Sequence, residues 1–327
     1  MFQLITGYWV SQTVGALAKL GVCDQFTNGP RTAAEVAPQV GANPRALFRV
    51  LRAAATIGIF EHHADDRFSL TPVGATLKSN VPGSMRDMAI AQTSPGHWLP
   101  WGKFSDAVQT GEEQASSSHG KPIFDYYDEQ AGERIAFMGA MQGVSSLVAN
   151  ELVRVVDFSE CKLVVDVGGS SGTLVSRVLD AHPNVAGIVY DLPSVAAEAR
   201  SALDARGHGS RCEAIGGDFF QSVPTGADAY ILKMILHDWN DEQSLTILKN
   251  IAKAMKNDSR VYVVEMVIPD DNTPSAAQLM DLNMLTMLPG RERTRSEYAE
   301  LFEKAGLRFE RLIHTHSPMQ VVEARLA

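Results

Sequence analysis

Apolar residues recur at helical spacing through most of the first 160 positions, and blocks of apolar strand alternate with amphipathic helix after that. TVGALAKLGVCDQF, beginning at Thr13, reads as a helix. Thr32 is placed to cap AAEVAPQV. Asn43-Pro44 opens a helix running to about Ile57, because a capping side chain followed by proline at the first helical position is a strong start signal. Two short runs, IGIFEHH and FSLTPVGATL, flank the turn residues Asp65, Asp66 and Arg67 and predict a two-stranded wing. Helix, helix, helix, hairpin is a winged-helix pattern, expected to end near residue 95. Phe2, Leu4, Ile5, Tyr8, Trp9 and Val10 crowd the N-terminus with more apolar surface than a small domain covers, which points to self-association there.

Residues 96–160 continue as helix around a polar loop between Thr110 and Pro122. Beyond them LVVDVG, AGIVYDL, CEAIGGDF, AYILKMIL and RVYVVEMVI alternate with helical stretches, the pattern of a parallel sheet covered on both faces. RFERLIHT and MQVVEARL then follow one another without a helix and predict an antiparallel hairpin at the sheet edge. The expected class is α/β. A helical, winged-helix-like dimerisation domain spans 1–95. A Rossmann-like domain with a mostly parallel seven-stranded sheet spans 96–327, helical over 96–160.

Composition sets limits on partners. With 45% apolar and 20% charged residues the chain is an ordinary globular one that buries a sizeable core. No apolar run approaches the roughly 20 residues that span a bilayer, so no membrane is expected as a partner. A net charge of −9 argues against nucleic acid as a partner of the whole chain. Cys23, Cys161 and Cys212 are widely spaced and in no metal-ligand pattern, and the first residues do not carry the pattern expected of a secretory leader. A reducing cytoplasm and no metal are the expectations.

The chemistry gathers at strand ends, where a doubly wound sheet binds its ligands. The first strand reaches Asp166 and enters a turn at Gly168, Gly169 and Gly172, whose missing Cβ atoms allow a tight bend and close approach of a ligand. The second ends at Asp191, 23 residues after Gly168, a carboxylate suited to two ribose hydroxyls. The third ends in Asp218-Phe219, an acceptor beside an aromatic face that suits adenine. The fourth leads to His237, Asp238 and Trp239, and the fifth carries Glu265. A nucleoside-bearing cofactor is expected. GGSSG departs from the dinucleotide spacing GxGxxG because Val167 fills the first glycine's place, which favours a ligand without a pyrophosphate.

DVGGSSG, YDLPSV, GGDFF, ILKMILHDWND, VVEMVIP, MDLNML and RTRSEYAELFEKAGL occur in that order across nearly the whole chain. In these segments it resembles the S-adenosylmethionine-dependent small-molecule O-methyltransferases, a family that includes plant caffeate and flavonoid enzymes and bacterial antibiotic- and phenazine-pathway enzymes. The resemblance implies a homodimer built through the N-terminal domain and S-adenosyl-L-methionine as methyl donor, leaving S-adenosyl-L-homocysteine. It implies that Gly168, Asp191, Asp218, Phe219 and Lys233 contact the donor, with Trp239 near the adenine. His237 would be the catalytic base, and Glu265 and Glu297, 28 and 60 residues further on, would flank it. These types suit the reaction: a phenol with pKa near 10 attacks poorly until a base takes its proton, and histidine does so near neutrality.

For the acceptor, the resemblance points to the helices before the glycine turn and the segment after the fifth strand. These supply Trp98, Phe137 and Met141, then Met280, Asn283 and Met284, a set suited to a flat apolar aromatic. Three other readings stand beside this one. Arg45, Arg49 and Arg52 share one face of a winged-helix recognition helix, as in a DNA-binding regulator. The fold also serves decarboxylation, hydroxylation or N-methylation of a similar aromatic. A glycine turn alone is shared with nicotinamide dehydrogenases.

Overall fold

Residues 1–102 and 115–143 form one unit of the structure, and residues 103–114 and 144–327 form another. The structure is a computed structural model that describes residues 1–271 and 273–327. In the first unit, helix α1 (Gly7–Lys19) is followed by strand β1 (Arg31–Thr32), α2 (Ala33–Val36) and α3 (Pro44–Thr56). Thr32 and Glu35 close a reciprocal capping box on α2, and Asn43 Oδ1 accepts the N–H groups of Arg45 and Ala46 at 3.0 and 3.1 Å to start α3. Leu47, Leu51 and Ala54 turn into the core with Leu17, Val36, Phe60 and Phe68, leaving Arg45, Arg49 and Arg52 on the exposed face. The wing is β2 (Phe60–His62) paired with β3 (Arg67–Leu70), and β1 adds a third strand on the far side of β3. Two residues are too few to show alternation, so β1 is invisible in the sequence pattern.

Helices α4 (Arg86–Thr93), α5 (Pro95–Trp101), α6 (Ile123–Glu129) and the first half of α7 (Ala131–Val155) complete this unit. The packing unit runs beyond residue 95, since residues 115–143 pack with the N-terminal helices. Their side chains give the reason. His97 on α5, Tyr127 on α6 and Phe137 on α7 stack, with ring centroids 4.8 Å apart for Tyr127–Phe137, and Tyr127 Oη meets His97 Nδ1 at 2.9 Å. Glu133 on α7 accepts from Gly96 N–H at 2.8 Å and from the Tyr126 hydroxyl at 3.1 Å. Helical periodicity predicts these helices but not which neighbours they pack on.

The second unit is a seven-stranded sheet in the order β11-β12-β8-β7-β4-β5-β6. In chain order it runs β4 (Leu163–Val167), α8 (Thr173–Ala181), β5 (Ala186–Asp191), α9 (Pro193–Ala205), β6 (Cys212–Gly216), β7 (Ala229–Lys233), α10 (Asp241–Ala254) and β8 (Arg260–Glu265). Two-residue strands β9 (Val267–Ile268) and β10 (Arg293–Thr294) pair in parallel, with α11 (Ala276–Met287) between them. Helix α12 (Arg295–Lys304) leads to β11 (Leu307–Ile313) and β12 (Gln320–Leu326). Strands β4 to β8 are parallel; β12 is antiparallel to both β8 and β11, the edge hairpin expected.

Alternate residues of each strand serve opposite faces. Val164, Leu174, Val175, Ile231 and Val264 build one core layer, and Val165, Leu232, Ile247, Leu248, Val263 and Phe302 the other. Each fully buried Val, Leu or Ile contributes about 1.5–3 kcal/mol, and the two layers together fix the strand ends from which the site is hung. Among the described residues, no helix is long and apolar enough to cross a membrane.

Candidate active site

Strand β4 lies between β5 and β7, and chain order runs outward from it in both directions, β4-β5-β6 one way and β7-β8 the other. At such a switch point a crevice opens beyond the carboxyl ends of the strands. Two turns flank it. The first follows β4: Gly168 and Gly172 both take φ +70°, and Ser170 between them takes φ +49°. A Cβ on Gly168 would stand 2.3 Å from Ile235 Cδ1 in the second turn, so no other residue fits there without displacing that side chain.

Asp191, at the end of β5, braces the first turn. Its Oδ2 accepts from Ser170 N–H at 2.8 Å and its Oδ1 from Leu192 N–H at 2.7 Å, and each oxygen keeps a lone pair for a ligand hydroxyl. Beneath the turn lies Asp166, which sequence reasoning noted as a strand end but not as a site residue. It is buried, its Oδ2 has no hydrogen-bond partner, and burial pushes its pKa up to about 7 against the pull of the Lys233 charge. A buried acceptor left open under a glycine turn fits a positively charged amino group, and so fits the amino-acid end of S-adenosylmethionine. Phe219 and Trp239 meet edge to face at 6.1 Å, and Phe220 and Trp239 at 4.8 Å. Asp218 accepts from Phe220 N–H and Gln221 Nε2 at 2.9 and 3.1 Å, which fixes the turn that presents Phe219. Lys233 ends β7; burial lowers its pKa, and the carboxylates of Asp166, Asp238 and Glu265 oppose that shift.

The second turn carries the reactive group. Met234 takes φ +52°, an uncommon and strained conformation for a non-glycine residue, and a single 3-10 turn over Leu236–Asp238 follows. Glu265, buried at the end of β8, accepts from the N–H groups of Ile235 and His237 at 3.1 and 3.2 Å, and its other oxygen accepts from the Tyr298 hydroxyl. His237 is buried. Its Nδ1 lies 2.7 Å from Glu292 Oε1, and its Nε2 lies 3.3 Å from Asp238 Oδ1. A Glu292 carboxylate accepting from Nδ1–H leaves Nε2 as the nitrogen that exchanges a proton with a substrate; burial raises the Glu292 carboxyl, against the pull of His237. Burial by itself would depress this imidazole. The charges of Asp238, Glu265 and Glu292, with the Glu292 hydrogen bond, outweigh it and raise His237 to about 9. Asp238 is raised to about 6 by burial, against the pull of His237 and Lys233.

His237, Asp238, Lys233, Glu265 and Asp166 thus lie together at the carboxyl edge of the sheet. Glu297 does not join them. It caps α12, accepting from Thr294 N–H at 2.8 Å while its own N–H donates to Thr294 Oγ1 at 3.2 Å, and its other oxygen pairs with Arg291. The carboxylate on the imidazole is Glu292, five residues earlier, in the loop before α12. Glu265 acts on the backbone of the histidine turn rather than on the ring. Met280, Asn283 and Met284 lie along α11; Met284 is buried, and Asn283 Nδ2 sits 3.9 Å from Met280 Sδ. Trp98 and Phe137 are half-buried on α5 and α7, and Met141 packs against Ala91, Ala136 and Ala140. Among the described residues, no group of three or more His, Cys, Asp or Glu side chains is arranged to hold a metal ion.

The sequence model of the O-methyltransferase domain matches residues 101–308. The chain belongs to the S-adenosylmethionine-dependent O-methyltransferase family. Residues 2–80 match the O-methyltransferase dimerisation domain. The enzyme is 38% identical over 325 residues to the phenazine O-methyltransferase PhzM of Lysobacter antibioticus, covering 99% of this chain and 95% of that one. The crystal structure of LaPhzM superposes with a TM-score of 0.94 at 38% identity, covering 100% of this chain and 98% of that one. NcsB1, an O-methyltransferase from neocarzinostatin biosynthesis solved with S-adenosylmethionine and 2-hydroxy-5-methyl naphthoic acid, superposes at 0.83 and 30% identity over 97% of this chain and 96% of that one. S-Adenosylmethionine is the methyl donor of this enzyme.

Proposed function

We propose that the enzyme methylates a hydroxyl group on a flat aromatic small molecule, and that His237 Nε2 accepts the hydroxyl proton. The observation that supports this best is the buried His237–Glu292 pair at 2.7 Å. An aromatic amine attacks through a lone pair it already has; a phenol needs its proton removed first, and a carboxylate-oriented imidazole serves that need. As the proton arrives, Glu292 stabilises the imidazolium, while Glu265 and Tyr298 hold the turn that aims it.

S-Adenosylmethionine supplies a methyl group already activated on a positive sulfonium. Asp166 and Asp191 hold its amino and ribose groups, with Gly168, Asp218, Phe219, Lys233 and Trp239 completing its seat. Positioning oxygen, methyl carbon and sulfur in line is then the main task, and such alignment contributes several kcal/mol to a rate. Met280, Asn283 and Met284, along α11, are the acceptor contacts of this reading. The naphthoic acid bound by NcsB1 supports an aromatic acceptor.

The enzyme acts as a homodimer in this reading. Phe2, Leu4, Ile5, Tyr8 and Trp9 are each more than half exposed, within the segment that matches the dimerisation domain. Light scattering should give the mass of two chains, and a monomer mass would exclude it. The chemical reading is tested with methyl-labelled S-adenosylmethionine and a panel of hydroxylated phenazines, naphthoates and quinones, products being read by mass. The label is expected on oxygen. Label on nitrogen, or an unlabelled decarboxylated product, would replace this reading.

A further inference from the structure

We propose that Arg293 is a positioning residue for methyl transfer: its guanidinium straps the turn that carries His237 to the start of α10 and so sets where the imidazole points. This rests on the reading of His237 as the proton acceptor.

Arg293 is fully buried in β10, an unusual place for a long cation, and its donors converge on one short stretch of chain. Nη1 donates to the carbonyl of Leu236 at 2.9 Å and Nη2 to the carbonyl of Trp239 at 3.0 Å, one residue before His237 and two after it. Nη2 also reaches Ser244 Oγ at 3.1 Å and Asp241 Oδ1 at 2.9 Å, and Nε reaches the same Asp241 oxygen at 3.0 Å. Ser244 Oγ in turn donates to the carbonyls of Leu236 and Trp239, at 3.2 and 3.3 Å.

The other side of the turn is held as firmly. Glu265 takes the N–H groups of Ile235 and His237, so the two buried ions hold opposite polar edges of one loop: the carboxylate its donors, the guanidinium its acceptors. The strained Met234 is where such external holding is needed, because a left-handed methionine persists only when its surroundings dictate it. The chain that delivers Arg293 reinforces this. A Cβ on Gly290 would stand 1.9 Å from the His237 carbonyl oxygen and 2.6 Å from the Trp239 nitrogen, so Gly290 lies directly against the turn. Residues 290–293 therefore form one clamp. Gly290 abuts the turn's backbone, Glu292 holds the ring and Arg293 holds the flanking carbonyls. A planar fork with fixed donors does this, and a lysine's single ammonium cannot hold both carbonyls and Asp241 in the same geometry.

The test is Arg293→Lys alone and combined with His237→Gln. In the otherwise native enzyme kcat should fall about 10- to 100-fold, the scale of a small misplacement of a reacting group, while the dissociation constant for S-adenosylmethionine moves less than about threefold. In the His237→Gln background the same change should lower kcat by less than about twofold, because the group it positions is gone. Equal losses in both backgrounds, or a native kcat in Arg293→Lys, would overturn the proposal. A native rate in His237→Gln alone would instead overturn the reading of His237. If Arg293→Lys does not fold, Asp241→Asn loosens the same guanidinium from its exposed end. It should lower kcat at least about threefold with unchanged donor affinity, and a native kcat there would count against the proposal equally.

Discussion

Replacing His237 with Gln is expected to lower turnover by about 10²-fold or more while donor affinity stays within about twofold. The imidazole is the one group at the crevice that combines a basic nitrogen with a partner dedicated to its other side. Nδ1 is committed to Glu292 at 2.7 Å, and burial excludes the water that would otherwise compete for Nε2. Glutamine keeps much of the shape and a hydrogen-bonding end but accepts no proton at neutral pH. The loss should therefore fall on kcat and not on binding, a pattern that initial-rate kinetics and calorimetry separate. A variant that turns over at the native rate would place proton removal elsewhere, in Asp238 or in solvent.

The second large effect is expected from Asp191→Ala, and it has the opposite signature. Asp191 holds the glycine turn through Ser170 N–H at 2.8 Å and keeps lone pairs free at the end of β5. Alanine removes the ribose acceptor and releases a residue whose φ of +49° needs support. Hydrogen bonds to a charged group contribute about 1.5–3 kcal/mol each, so donor affinity should fall about 10- to 100-fold. At saturating donor, kcat should recover to within a fewfold of native. An undisturbed dissociation constant by calorimetry would show that the ribose is held by another group.

Most of the architecture was legible because it depends on local signals. The capping residues Thr32 and Asn43, the alternation in LVVDV and the turn glycines each act over a few positions, and the structure places all of them in the predicted elements. The site was legible as far as one rule carried it, since strand ends in such a sheet share an edge; this brought Gly168, Asp191, Asp218, His237 and Glu265 together. It failed where a residue reaches the site from a loop. The resemblance pointed to Glu297 as a carboxylate beside His237, yet Thr294-Arg295-Ser296-Glu297 has the spacing of a capping box, a local signal that already assigns this carboxylate to a helix start. Glu292 and Arg293 carried a weaker signal: they are two of the three charged residues that follow Gly290, the one residue type that lets that loop lie against the histidine turn. The packing of residues 115–143 with the N-terminal helices was hidden for a related reason. His97, Tyr127 and Phe137 are separated along the chain, and only the packed structure shows them as one stack.

The His237–Glu292 pair as proton acceptor is tested most directly by the pH dependence of kcat/KM for the acceptor at saturating S-adenosylmethionine, in the native enzyme and in Glu292→Gln. The base works when neutral, so the rate rises as pH passes upward through the apparent pKa of the pair. Burial opposes the charged imidazole, but the surrounding carboxylates prevail and hold His237 up at about 9. The native ascending limb should therefore lie above the ordinary imidazole value of about 6.5. Removing the Glu292 charge takes away part of what favours the imidazolium, so in Glu292→Gln the limb should move to lower pH as the maximal rate falls. A limb at the same pH in both enzymes would contradict the account.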